Sequence, residues 1–226
     1  MKAELIDCLG DDLRVVNAAR VSFGKESEWD IVGKLEEQVL QDRDVKLIKY
    51  LAKHNHWTPF SHCIVTLRET VPIFVSRQRF KHMVGFAYNE VSRRYVDDEP
   101  EFFVPDVWRA RPDGSVKQGS GQETIDSPKF PWVSYGSSAN YEDFLEICLS
   151  AYNSLIAQGV APEQARMVLP QSMYTSYYVT GSLAAWARAY KQRIDPHAQK
   201  EIQDLAKQWG DIIQPLFPVS WAALTE

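Results

Sequence analysis

The sequence predicts an α+β fold in one domain. Three observations lead there. Apolar residues recur at helical spacing over several long segments, whereas strict alternation is confined to a few short ones. The strand segments do not interleave with helices in the β-α-β order of a doubly wound parallel sheet. A chain of 226 residues, 45% apolar and 12% aromatic, also suits a single packed domain over residues 1–226.

Lys2 to Cys8 alternates loosely and reads as an edge strand. Asp11 or Asp12 caps a short helix through Leu13, Val16 and Ala19, and residues 24–41 form a charged surface excursion. Asp44 caps the next helix, which carries Leu47, Ile48 and Leu51 and ends near His54. The best strand runs from His62 to Val71, with Cys63, Val65 and Leu67 on one face and Thr66, Arg68 and Thr70 on the other. Pro72 opens a helix to Val84 that groups Gln78, Lys81 and His82 on one side.

Residues 97–139 are rich in Pro, Gly, Ser and aromatics, and 111–139 reads as a flexible loop with a turn at Pro112-Asp113-Gly114. Asn140 caps a strongly periodic helix closed by Gly159. Pro162 opens a short helix stopped by Pro170, Leu183 to Tyr190 forms another apolar stripe, and Asp195-Pro196 opens the last long helix. The stretch Met167 to Ala187 lacks charge, yet 8 of its 21 residues are Pro, Gln, Ser, Thr or Gly. That is too polar for a membrane span and reads as buried polar or ligand-facing surface.

Composition narrows the function. With 25 basic against 30 acidic residues the net charge is −5, which disfavours a general nucleic-acid coat. Three widely spaced cysteines, Cys8, Cys63 and Cys148, make neither a disulfide framework nor a metal knuckle. The first residues carry Lys2, Glu4 and Asp7 and lack the apolar run of a signal peptide, and on cysteine usage a cytoplasmic protein is expected.

Against this acidic background, residues 77–95 contain Arg77, Arg79, Lys81, Arg93 and Arg94 with Glu90 as their one acid. Guanidinium forks with the Ser92 hydroxyl suit a phosphate monoester; a solvated basic helix face would carry the same residues. Two other segments, His54 to Phe60 and Arg188 to His197, gather imidazoles, a hydroxyl and cations. A metal site on His54, His56 and His62 lacks accompanying carboxylates, so no metal is expected.

Several strings occur in one order: Ala19-Arg20-Val21-Ser22-Phe23, His56-x-Thr58-Pro59-Phe60-x-His62, and Pro72-Ile73-Phe74-Val75-x-Arg77-Gln78. They continue with Tyr88-Asn89-Glu90-Val91-Ser92-x-Arg94-Tyr95, Ala165-Arg166-x-Val168-Leu169-Pro170 and Arg193-x-Asp195-x-His197-Ala198-Gln199. In this the chain resembles the flavin-dependent thymidylate synthases over most of its length. It departs at the family's Arg-His-Arg signature, which here reads Lys81-His82-Met83, with eight residues rather than seven before Ser92. Lysine keeps the charge and loses the fork; methionine loses both.

The resemblance implies a small, mostly antiparallel or mixed sheet with several flanking helices. It also implies reductive methylation of dUMP at C5, with methylenetetrahydrofolate as carbon donor and FAD reduced by NADPH. Arg193 would activate the pyrimidine electrostatically, in place of a cysteine nucleophile. Matched position by position, the dUMP contacts would be Gln78, Arg79, Lys81, Glu90, Val91, Ser92, Arg93, Arg94, Arg166 and Arg193. The FAD contacts would be Ser22, His56, Thr58, Lys81, His82, Met83, Glu90, Ser182, Ala184, Arg188 and His197. A homotetramer with sites shared between subunits is also implied. The departures at Lys81 and Met83 leave one alternative, a dUMP-binding protein of the same fold with weakened or lost flavin chemistry.

Overall fold

Alternation and capping chemistry decide most elements of the computed structural model, which describes residues 1–226 apart from 34–36, 97, 113–118, 122 and 132–137. In chain order these are β1 (Lys2–Leu9), α1 (Asp12–Arg20), β2 (Asp30–Val32), β3 (Glu37–Val39), α2 (Asp42–Lys53), β4 (Ile64–Pro72) and α3 (Ile73–Arg79). Then come β5 (Phe86–Glu90), the short strands β6 (Trp108–Arg109), β7 (Thr124–Ile125), β8 (Phe130–Pro131) and β9 (Ser138–Ala139), and α4 (Tyr141–Ala157). The chain finishes with α5 (Pro162–Ala165), β10 (Tyr174–Ser182), α6 (Leu183–Arg193), α7 (Lys200–Ile213) and α8 (Pro218–Thr225). Four of the strands pair in the order β1-β4-β10-β5, and together with the helices they make the α+β fold expected.

The chain divides into two compact units that alternate along the sequence. One comprises Lys2–Glu69, Lys81–Asn89 and Tyr178–Glu226. Its core is aromatic and aliphatic. Val15, Ile48, Phe60, Val65, Leu67, Trp186, Leu205, Trp209 and Phe217 are all fully buried. The Trp186 indole N–H donates to the Val65 carbonyl at 3.1 Å, and the ring meets Trp209 edge-on at 5.5 Å, so a large apolar body is buried with its polar atom satisfied. Helix α8 packs on α2 and α6. Its first turn is held by Asp12, whose carboxylate accepts from the Val219 and Ser220 N–H groups at 2.8 and 2.9 Å. Burial nevertheless pushes the Asp12 carboxyl up, because desolvation outweighs the hydrogen bonds that favour its charged form.

The other unit comprises Met1, Thr70–Phe80 and Glu90–Tyr177. Val71, Val75, Leu145, Tyr152, Ala165 and Tyr177 form its core, with Phe80 edge-on to Tyr177 at 4.8 Å. Helix α4 starts in a capping box: Asn140 Oδ1 accepts from the Asp143 N–H and Asp143 Oδ2 from the Asn140 N–H, both at 2.8 Å. Gly159, just past its end, takes φ +83°, as expected of a helix-closing glycine.

Three expectations need correction. Asp44 does not cap α2, which begins at Asp42 after Gln41; its carboxylate is buried instead, paired with the Arg20 guanidinium and accepting from Ser27 Oγ at 3.1 Å. Helix α3 stops at Arg79 rather than Val84, because Gly85 turns at φ +81° and β5 starts at Phe86. Gln78, Lys81 and His82 therefore share no helical face. The last long helix begins at Lys200; Asp195 is occupied instead by the His197 N–H at 2.8 Å.

The uncharged stretch contains strand β10, and of its two readings the buried polar one is met: Ser172 and Thr175 are buried. Its hydroxyls find partners on β4: Thr180 Oγ1 lies 2.9 Å from Thr66 Oγ1, and Ser176 Oγ lies 3.2 Å from Thr70 Oγ1. Strand pairing accounts for polar side chains at uncharged, half-buried positions. The 111–139 loop falls partly outside the described residues, as does most of the expected 112–114 turn; its described portions carry β7, β8 and β9. Among the described residues, no helix is long and apolar enough to cross a membrane.

Candidate active site

In the first unit, the segment from Lys81 to Gly85 is pinned by donors on both sides. The Tyr88 hydroxyl donates to the His82 carbonyl at 2.6 Å, and Arg188 Nη2 donates to the Val84 carbonyl. The Ser182 N–H donates to the Gly85 carbonyl at 3.2 Å, while Ser182 Oγ caps α6 by accepting from the Ala185 N–H at 3.2 Å. A Cβ at Gly85 would lie 2.8 Å from Ala185 Cβ, so the backbone approaches α6 as only glycine allows, at a φ only glycine adopts readily.

This approach forms one wall of a cleft of 670 Å³, a usual volume for a small-molecule site. His56, Trp57, Gly85, Ser182, Arg188 and Lys191 are among its lining residues. The exposed Trp57 face and the two cations fit a large planar ring system carrying phosphates. Of the residues expected at the flavin, His56, Ser182, Ala184 and Arg188 line this cleft, whereas Ser22, Thr58, Lys81, His82, Met83, Glu90 and His197 do not. Met83 is 72% exposed, and His197 is an exposed side chain whose ring Nδ1 lies 2.9 Å from Asp195 Oδ1. Trp57, Lys191 and Gly85 line the cleft as well, though none was among the residues assigned to the flavin; they fall in or beside the segments His54 to Phe60, Arg188 to His197 and Arg77 to Tyr95.

Arg193 is the last residue of α6, where a cation also suits the helix dipole. Its Nε donates to His82 Nε2 at 2.8 Å. An arginine Nε–H can only donate, so His82 Nε2 is the acceptor in this bond.

The second unit gathers a different set. Glu90 Oε1 accepts from Thr175 Oγ1 at 2.7 Å, and the Val91 N–H donates to the Ser176 carbonyl at 2.9 Å, so β10 fixes the start of the Glu90–Tyr95 turn. Within that turn the Arg94 N–H donates to Ser92 Oγ at 3.4 Å, and the Arg94 guanidinium lies 5.4 Å from the Tyr95 ring centre. Arg94 Nε sits 3.5 Å from Glu163 Oε2, and Arg166 Nε donates to the Glu163 carbonyl at 3.2 Å. Glu163, absent from the sequence-based set, thus brings Arg94 and Arg166 together. Its helix position at Pro162-Glu163 was the one available signal. Arg93 turns the other way, donating to the Asp98 carbonyl with its side chain largely covered. Arg79 on α3 is fully buried, and Gln78 beside it is half-buried.

No thiol in the chain is activated. Burial pushes Cys63 up to about 12, and it raises Cys8 and Cys148 as well. Among the described residues, no group of three or more His, Cys, Asp or Glu side chains is placed to hold a metal ion.

Comparison with known proteins gives consistent findings. The family described as "Thymidylate synthase complementing protein" matches residues 4–219. A flavin-dependent thymidylate synthase of Thermosipho africanus is 35% identical over 219 residues, covering 97% of this chain and 88% of the relative. One of Thermus thermophilus is 33% identical over 222 residues, covering 98% and 74%. Among solved structures, the UMP/dUMP methylase PolB from Streptomyces cacaoi bound with 5-Br dUMP superposes with a TM-score of 0.75 at 28% identity, covering 99% of this chain and 94% of that one.

Proposed function

The chain belongs to the flavin-dependent thymidylate synthases and is an enzyme of that type; on that premise we propose that it converts dUMP to dTMP with methylenetetrahydrofolate, FAD and NADPH. A methylene unit must gain two electrons to become a methyl group, so the reaction needs a reductant besides the carbon donor. The bound flavin would supply that hydride, recharged by NADPH.

The observation that supports the mechanism is where the thiols lie: none of the three cysteines lines the cleft, and Cys63 is fully buried. With no thiol at hand to attack pyrimidine C6, C5 would become nucleophilic by another route. A fixed guanidinium can favour the N3-deprotonated, enolate-like pyrimidine by stabilising its negative charge. Arg193 is the residue for that role.

Ser92, Arg94 and Arg166 hold the phosphate, drawing on two forks and a hydroxyl gathered within one unit. Glu90 accepts from sugar or base groups. Gln78, Arg79, Lys81, Val91 and Arg93 complete the nucleotide contacts. His56, Ser182, Ala184 and Arg188 hold the flavin in the cleft, assisted by Ser22, Thr58, Lys81, His82, Met83, Glu90 and His197 from flanking positions or neighbouring subunits of a homotetramer. Lys81 supplies charge where Met83 supplies none.

The test uses the purified protein. A flavin spectrum, bleaching by NADPH, and dTMP formation dependent on both dUMP and methylenetetrahydrofolate support the proposal, with UMP as comparator. Protein that takes up no added FAD, or forms no dTMP when it does, overturns it. Growth of a thymidine auxotroph on the expressed chain provides an independent check.

A further inference from the structure

We propose that His82 is a positioning residue for Arg193, an inference that rests on the activating role given to that arginine above. A cation at a helix terminus is poorly placed for accurate work. Arg193 is the final residue of α6, and its long side chain has several rotatable bonds. Electrostatic stabilisation requires the guanidinium to stand in one orientation before the reaction begins. The bond from Arg193 Nε to His82 Nε2, at 2.8 Å, meets this need. The guanidinium is planar, so anchoring Nε sets the direction of the whole fork.

His82 is itself well held. It is 8% exposed, and the Tyr88 hydroxyl grips its carbonyl at 2.6 Å. Two residues on, Arg188 takes the Val84 carbonyl, so donors from β5 and α6 both fix the segment. All of these groups lie within one compact unit. The buried side chain of His82 thus offers Arg193 an acceptor whose own position is fixed.

The experiment reads the ionisation of bound 5-Br dUMP, whose N3 proton is made more acidic by bromine and whose anion absorbs differently. It also reads turnover per bound flavin. His82→Leu removes the acceptor, whereas His82→Gln offers an oxygen near the position of Nε2. We expect His82→Leu to lower turnover per flavin about ten- to hundredfold, the range for losing a hydrogen bond to a charged group. The bound 5-Br dUMP should then ionise only at higher pH. His82→Gln should restore most of both.

Unchanged turnover and ionisation in His82→Leu would overturn the inference, as would a glutamine variant no better than the leucine one. If His82→Leu does not fold, Tyr88→Phe decides: a several-fold fall with shifted ionisation supports the inference, and wild-type values overturn it. Arg193→Ala is measured alongside. If it abolishes the ionisation shift while His82→Leu leaves it intact, the positioning role alone fails. If Arg193→Ala leaves the shift intact, the activating role fails and takes the inference with it.

Discussion

Glu163→Gln should make the enzyme bind dUMP more tightly. In the structure the Glu163 carboxylate lies 3.5 Å from Arg94 Nε, where the proposed function places a phosphate oxygen. A substrate phosphate has to displace that carboxylate. Two unit charges at this distance attract by about 1.2 kcal/mol at the dielectric of water. The side chains are 52% and 55% exposed, and pairs of this kind are worth about 0.2–1 kcal/mol when measured. Removing the competing charge, with the side chain's shape kept, should lower the KM for dUMP by up to about fivefold. The bond from Arg166 to the Glu163 backbone carbonyl is unaffected by the substitution. The assay is initial rate against dUMP at saturating folate and reductant, over a range of ionic strength. The difference should shrink towards 1 M salt, where screening acts over about 3 Å. Uridine, which lacks the phosphate, should bind both proteins alike. A KM that is unchanged or higher in Glu163→Gln would refute the reasoning, because the carboxylate would then be assisting Arg94 and not competing for it.

Arg94→Ala should raise the dUMP KM by about tenfold or more, as for a lost charged hydrogen bond, while uridine affinity stays close to wild type; equal losses for both would move Arg94 away from the phosphate. Arg193→Ala should retain flavin by absorbance yet turn over roughly 10²-fold more slowly, and near-normal turnover would exclude the activating role. Gly85→Ala forces a side chain into a left-handed turn 2.8 Å from Ala185 Cβ. Strain of about 1–3 kcal/mol should lower the thermal midpoint by roughly 2–4 °C per kcal/mol, and flavin retention should weaken because the cleft wall moves. Cys63 ionises near 9 in the unfolded chain and near 12 in the folded one, so its stabilising contribution is complete below pH 9 and is lost as pH climbs towards 12. Native protein at pH 8 should leave Cys63 unmodified by a thiol reagent that labels it after unfolding, and labelling at the same rate in both states would contradict its burial.

The elements legible in the sequence are those decided by contacts a few residues long. Strand β1 and the buried face of β4 follow from alternation, and Asn140 with Asp143 and Gly159 marks both ends of α4. The family could also be read from short strings in order, and with it the guanidiniums gathered around Glu90-Val91-Ser92. Elements that depend on a partner were misread or left open. Sequence alone leaves the hydroxyls of β10 as either buried or ligand-facing until β4 lies beside them, and Asp44 resembles a cap until Arg20 reaches it from α1. Likewise, nothing local marks His82 as the acceptor for a guanidinium 111 positions away, or Glu163 as the residue that joins two arginines.

By itself the sequence determined which chemical groups this protein owns: forked cations and a hydroxyl for an anion, thiols in apolar patterns, caps and turns at their proper spacings. Only the tertiary structure decided which of those groups meet. The reason is physical. Propensity and capping act through hydrogen bonds between residues near in sequence, whereas the burial of Cys63 and the orientation of Arg193 depend on surroundings that exist only after distant segments have packed.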